Sequence, residues 1–380
     1  MLLNVQVISK LRSTLCDRIR QVLVEWSLCR IHDDVSSPDV PPTDFARIRT
    51  DPYKLLGHEG TVLSVAFDPD TNNLVSCSYD HVIATWDMNS RAMEWVQRHV
   101  HNSPVNTVAV TSRDSCILWG DADGRVFRWN RRDENPTEVH YSKRGNVLCL
   151  AISPDNKLVA IARADQKITL LRIPTSEKLF TRTAHISQVS CVSFGCDNKL
   201  FATCSHDFTA KVWDAETGKV VRHLKHSSGV ALWSVAMMSD GKQVVSGSQA
   251  GSIIIWTLSD KKPKEFHNAH NYGVRCLAAF PEDMRIASGG GDDLVKVWDV
   301  STMTQILTLK RHEGLVQSVA LLGHGSQLAS ADEGGTIIIW NLEESSDEIV
   351  PPGETLAPAR KRMSDQHEAR RRIAELVAAF

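Results

Sequence analysis

The stretch HISQVSCVSF (185–194), GCDNK (195–199), LFATCSHD (200–207), FTAKVWD (208–214) decides the fold. It holds three short runs rich in β-branched, aromatic and small residues, separated by Gly195 to Lys199 and by the tight Asp207-Phe208-Thr209, so it reads as three strands with turns between them. After Glu216-Thr217-Gly218-Lys219, Val220 to Leu224 offers a fourth strand. A four-stranded meander of this size cannot cover both of its own faces, and it needs copies of itself on either side.

The copies are present. Trp86, Trp129, Trp213, Trp256, Trp298 and Trp340 share one phase with Leu171 in the tryptophan place between the second and third, at successive spacings of 43, 42, 42, 43, 42 and 42 residues. Seven units of this period match the blades of a β-propeller. With Gly57-His58 at the head of the first unit and Trp86-Asp87, Trp213-Asp214 and Trp298-Asp299 at strand ends, the chain resembles the WD-repeat family over roughly residues 50 to 342. That resemblance implies an all-β fold, a seven-bladed propeller with the N-terminal strand completing the last blade. The residues agree. After Trp340-Asn341 the chain turns acidic and proline-bearing, leaving no outer strand for the last unit, and Tyr53 to Leu56 is a spare one.

Outward from the repeats, residues 1–32 read as an amphipathic helix, with Ile8, Leu11, Leu15, Ile19, Val22 and Trp26 on one face. Such a stripe either docks on its own propeller or forms a coiled coil, with a partner or a second copy of the chain. Residues 33–50, with Pro38 and Pro41-Pro42, form a linker to the propeller at 51–342. An acidic, proline-bearing linker at 343–356 leads to a basic helix at 357–380, where Arg360-Lys361-Arg362 and Arg370-Arg371-Arg372 supply a charge run.

Composition excludes several classes. The formal net charge of −2 argues against wholesale nucleic-acid binding. The nine cysteines show no metal-ligand pairing and read as small core hydrophobes of a reducing compartment, cytoplasmic or nuclear. No apolar run is long enough for a membrane span, and no phosphate loop or cofactor box occurs, so no cofactor is expected.

Histidine, hydroxyl, aspartate and tryptophan recur in register: His58, Ser76, Asp80, Trp86; His185, Thr203, Asp207, Trp213; His270, Ser288, Asp292, Trp298. Three equivalent sets within a repeat do not make a catalytic triad, which needs one exposed nucleophile and an oxyanion hole. Each set has the parts of a closed hydrogen-bond chain in which aspartate accepts from histidine, histidine bonds the hydroxyl, and the hydroxyl accepts from the indole. This resembles the structural tetrad of the WD-repeat family. The other units depart from it. The second keeps His101, Asp123 and Trp129 but has Trp119 for the hydroxyl. The third keeps only Asp165, the fifth has Ala250 for aspartate and His226 out of step, and the seventh has Gly334 for aspartate beside His312, Ser330 and Trp340. Blades two, three and five are expected to be softer.

In the family, the loop before the first strand and the turn between the second and third emerge on one face. Tyr79, Ala122, Ala164, His206, Gln249, Gly291 and Glu333 precede the turn aspartates and are expected there, with Tyr272 from the other loop and a basic patch of Lys143, Arg144 and Arg163. Tyr79, Arg144, Arg163, His206 and Tyr272 are the partner-binding candidates. The reading is a non-enzymatic scaffold that binds other proteins through this face and its helices. A G-protein β-like subunit is an alternative, since it too sets a helix before seven repeats. A ubiquitin-ligase substrate receptor is another, with Trp129-Asn130-Arg131-Arg132 as an imperfect docking motif.

Overall fold

In the computed structural model, the described residues are 52–342 apart from 98–102, 113, 132, 144, 227–228, 261, 282–283 and 323–324. The two expected terminal helices, with the stripe from Ile8 to Trp26, lie outside them, as do both linkers. Seven four-stranded antiparallel sheets account for the described chain, six of them in simple sequence order. In the founding stretch the strands are Val189–Phe194, Leu200–Ser205, Thr209–Asp214 and Val220–Lys225.

Burial follows position within a blade. Second strands such as Leu74–Ser78 are buried at every residue, while the outer strand Val220–Lys225 is exposed at all but one. A middle strand has a neighbouring blade against each face, so it loses the in–out alternation of a half-solvated sheet and reads as an unbroken apolar and small-residue run. The inner strands pack on one another in cyclic order, the last of them, Val316–Leu322, against the first, Val62–Phe67. Seven core clusters fill the seven seams between adjacent blades.

The ring is closed by sequence-distant strands. Tyr53–Leu55 pairs antiparallel with Ile337–Asn341, with Tyr53 opposite Ile339 and Leu55 opposite Ile337. Leu55 is buried and shares the seam between blades seven and one with Ile337, Ile339 and Trp86.

The turns between second and third strands decide the geometry of the loop face. In all seven blades one residue of that turn has positive φ: His81, Gly124, Gln166, Phe208, Gly251, Asp293 and Gly335. The chain reverses there against the loop that opens the next blade. Ser142 N–H donates to Gly124 O at 2.9 Å, Ala184 N–H to Gln166 O at 2.8 Å, and His270 N–H to Gly251 O at 2.9 Å. A Cβ at Gly251 would lie 2.1 Å from His270 O, so that position has room only for glycine.

Candidate functional site: the fastened loop face

Among the described residues, four blades carry a complete side-chain chain. In blade one, Trp86 Nε1–H donates to Ser76 Oγ at 2.8 Å, Ser76 Oγ lies 2.7 Å from His58 Nε2, and His58 Nδ1 lies 2.9 Å from Asp80 Oδ2. Blade four repeats it through Trp213, Thr203, His185 and Asp207 at 2.9, 2.9 and 2.9 Å. Blade six does so through Trp298, Ser288, His270 and Asp292 at 2.8, 2.7 and 2.7 Å. Indole only donates and carboxylate only accepts, which fixes the direction. The hydroxyl accepts from tryptophan and donates to Nε2, and a neutral imidazole donates from Nδ1. Each link of the chain has its partner, and the Ser76, Thr203 and Ser288 hydroxyls at its centre are 0% exposed.

The aspartate end is what fastens the loops. Asp80 Oδ2 also accepts from Glu59 N–H at 2.9 Å and Asp207 Oδ2 from Ile186 N–H at 3.1 Å, while Asp292, whose Oδ1 meets His270, accepts Asn271 N–H on Oδ2 at 3.0 Å. The second oxygens of Asp80 and Asp207 hold their own turns, accepting Val82 N–H at 3.0 Å and Thr209 N–H at 3.1 Å. The aspartates of the Trp-Asp pairs work elsewhere. Asp87, Asp214 and Asp299 cap the turns leading to the outer strands, as when Asp214 Oδ1 accepts from Thr217 N–H at 2.7 Å.

A fourth chain is in blade seven, where the sequence reading placed Gly334 at the aspartate position. His312 Nδ1 instead meets Asp332 Oδ2 at 2.7 Å, its Nε2 meets Ser330 Oγ at 2.6 Å, and Trp340 Nε1–H donates to Ser330 at 2.7 Å. Asp332, two residues earlier, also takes Gly334 N–H and Thr336 N–H on Oδ1 at 2.9 and 3.0 Å. Counting residues at fixed phase missed it, because a carboxylate at the end of the second strand reaches the histidine as well as one in the turn. In blade two the turn is likewise held from two residues earlier than expected. The expected Asp123 is exposed, and buried Asp121 accepts Arg125 N–H at 2.8 Å. His101 lies outside the described residues. Trp119, in the hydroxyl place, is buried and stacked on Phe127 with centroids 5.7 Å apart.

Blade three corrects a second expectation. Arg163 was placed on an exposed basic patch, but it is buried, with 3% of its surface accessible. Its Nε lies 3.2 Å from Asp165 Oδ1, an ion pair off the N–H axis, and its Nη1 lies 3.2 Å from His140 Nε2 on the outer strand of blade two. Burial, then the adjacent Arg163 charge, pushes the His140 imidazole down to about 4, leaving it a neutral acceptor for that guanidinium. An ion pair within blade three and a hydrogen bond from Arg163 to blade two thus stand where the tetrad is missing. Arg144 lies outside the described residues, and Lys143 is exposed. In blade five, Trp256 Nε1–H still reaches Ser246 at 2.9 Å, but His226 Nε2 turns to Glu265 at 3.1 Å.

Of the other face candidates, Tyr79 is 61% and Tyr272 48% exposed. His206 is half-buried with its ring 3.1 Å from Gln188 Nε2, and burial lowers its pKa. Gln249 is exposed, Ala122, Ala164 and Glu333 are half-buried, and Gly291 is buried beneath Tyr272. No group of residues suited to hold a metal occurs among the described residues. The seven described cysteines are free.

With the geometry in place, comparison is informative. The chain matches the family described as "WD domain, G-beta repeat" over residues 50–87, 136–170, 176–214, 218–257, 261–299 and 303–341. The chain belongs to the WD-repeat family. The gap between the first two matched segments falls on blade two, where Trp119 has displaced the hydroxyl. WD-repeat relatives include Periodic tryptophan protein 2 of Arabidopsis thaliana, 25% identical across 64% of this chain and 27% of its own length. Apoptotic protease-activating factor 1 of Homo sapiens is 29% identical across 75% of this chain and 22% of its own. Autophagy-related protein 16 of Arabidopsis thaliana is 21% identical across 64% and 56%. The chain therefore spans between about a fifth and just over half the length of these relatives. No helix among the described residues is long and apolar enough to cross a membrane.

The tetrads make stability sensitive to acid. Burial holds the His185 pKa down at about 4, against an ordinary 6.5, and lowers that of His270. The unfolded chain therefore takes up protons below 6.5 that the folded chain refuses. This contribution is fully present above pH 6.5 and is lost as pH falls toward 4. Burial pushes the Asp207 carboxyl up, but hydrogen bonds from Thr209, His185 and the Ile186 N–H outweigh it and hold it below its ordinary 3.8, so its contribution is lost at still lower pH. Thermal melts at pH 8, 6.5 and 5 are expected to show a falling melting temperature. A melting temperature that rises on acidification would mean the imidazoles are charged in the folded state.

Proposed function

We propose that this WD-repeat chain is a non-enzymatic scaffold that recruits protein partners through its loop face. What carries the reading is the placement of two exposed aromatic side chains on loops tied down from beneath. Tyr79 directly precedes Asp80, and Tyr272 directly follows Asn271, whose N–H is held by Asp292. A rigid, exposed aromatic buries large area at small entropic cost, and such residues carry about 2 kcal/mol or more at interface hot spots. The relatives support a shared binding platform rather than a shared reaction, since their names point to unrelated processes. A reducing compartment, cytoplasm or nucleus, fits the free thiols.

The test is affinity purification with wild-type and Tyr79→Ala/Tyr272→Ala chains, followed by identification of what is lost. The variant is expected to keep its melting temperature and lose partners. A companion Leu15→Asp/Ile19→Asp variant is expected to change only self-association or partners held by the N-terminal segment. If the face variant retains the full wild-type set, partners do not bind through Tyr79 and Tyr272.

A further inference from the structure

Blade four spends conformational energy on its surface. Phe208 has φ +71, at the turn position that blades two, five and seven fill with Gly124, Gly251 and Gly335. A bulky side chain in the left-handed region is a strained choice, and a core contact would be the ordinary reason to tolerate it. Phe208 has no such reason on this scale, because 41% of it remains exposed. Beside it stands Ile186, 86% exposed, its N–H fixed by the carboxylate of Asp207. The same loop position holds Glu59 in blade one, Asn271 in blade six and Glu313 in blade seven, so an apolar residue there is specific to blade four.

The surroundings of this pair are basic. Lys225 is exposed and opposite Thr209 in the blade-four ladder, His223 is exposed opposite Lys211, and Arg182 is exposed on the outer strand of blade three, four residues before Ile186. The nearby carboxylates are occupied: the oxygens of Asp207 are taken by His185, Ile186 N–H and Thr209, and Asp165, in the blade-three turn whose Gln166 O accepts Ala184 N–H, is paired with Arg163 and Lys167. The other acidic residues of the blade, Asp197, Asp214 and Glu216, sit in the turns at the opposite end.

We infer that Phe208 and Ile186 form an apolar anchor point for a partner peptide segment carrying a large apolar side chain next to carboxylates, which Lys225, His223 and Arg182 would meet. The inference rests on the loop face being the partner surface, and it places the principal contact at blade four with a stated chemistry. Complementary charge steers such a segment and fixes its register, while the apolar pair supplies affinity.

The experiment is selection of a random-peptide phage library on the full chain, with binding of individual clones measured as synthetic peptides. Wild-type chain is expected to enrich peptides that place Phe, Leu, Ile or Trp within a few residues of Asp or Glu. Their affinity is expected to fall by about tenfold or more in Ile186→Ser/Phe208→Gly, and to fall in Arg182→Glu/Lys225→Glu with a weakened salt dependence. Phe208→Gly alone is expected not to lower the melting temperature, because glycine accepts this φ without strain. A lowered melting temperature would make Phe208 a packing residue and overturn the proposal. So would enrichment of basic or uncharged peptides, or of none. Clones that survive Ile186→Ser/Phe208→Gly but are lost with Tyr79→Ala/Tyr272→Ala would refute the blade-four anchor and leave the loop-face reading standing. Clones that survive both sets would remove both.

Discussion

Removal of residues 1–56 is expected to abolish the soluble monomer. The loss takes away Tyr53–Leu55, the outer strand of blade seven, and leaves the N–H and C=O groups of Ile337–Asn341 unpaired on an apolar edge strand. It also removes Leu55, 1% exposed, from the seam it shares with Ile337, Ile339 and Trp86, about 2 kcal/mol of apolar burial on its own. The larger effect is the open edge, since an unpaired strand reading Ile337-Ile338-Ile339-Trp340 is a template for pairing with another chain. A chain lacking only residues 1–44 keeps the strand and is expected to unfold in one cooperative transition. Size-exclusion chromatography and thermal melts of the two truncations separate the cases. A stable monomer after the longer deletion would mean that blade seven does not need its N-terminal strand.

His185→Ala is expected to destabilise blade four through its hydrogen-bond chain. The imidazole joins Thr203 to Asp207, and its loss leaves each one partner short: a hydroxyl that is 0% exposed and keeps only Trp213, and a carboxylate whose side chain is 5% exposed and keeps Ile186 N–H and Thr209. Each stranded buried group costs roughly 1–3 kcal/mol, so a total of about 3 kcal/mol is expected, a fall in melting temperature of roughly 5 °C. His312→Ala is expected to behave alike through Ser330 and Asp332, although its blade lacks an aspartate in the usual turn position. His226→Ala is expected to cost less, because His226 bonds Glu265 rather than the Ser246 that serves Trp256. Equal losses for His185→Ala and His226→Ala would contradict the distinction between complete and partial chains.

Much of this architecture is legible in the sequence because it repeats. The phase of Trp86, Trp129, Trp213, Trp256, Trp298 and Trp340 counts the blades, and the missing outer strand after Asn341 points to Tyr53 to Leu56. What repetition hides is substitution by geometry. Asp332 reaches His312 from two positions before the expected place, and Asp121 holds its turn through Arg125 N–H where Asp123 is exposed, and a spacing rule cannot see that either backbone position presents a carboxylate to the turn. Arg163 reads as surface because arginine usually is, yet it is buried between Asp165, two residues along the chain, and His140, 23 residues away on blade two. Phe208 is legible in the sequence as a turn residue, but its positive φ and its exposure, like that of Ile186, show only in the structure.

The central claim is that histidine–aspartate chains immobilise the loops that form the partner face. Amide hydrogen exchange resolved to single residues tests it most directly at Glu59, Ile186 and Asn271. All three are exposed residues in short loops, whose amides would exchange freely with solvent unless Asp80, Asp207 and Asp292 accept from them. The account predicts slow exchange at these three amides in the wild-type chain and fast exchange at Ile186 once His185→Ala releases Asp207. Exchange at all three as fast as in solvated loops would show that the carboxylates do not hold the face, and would contradict the account.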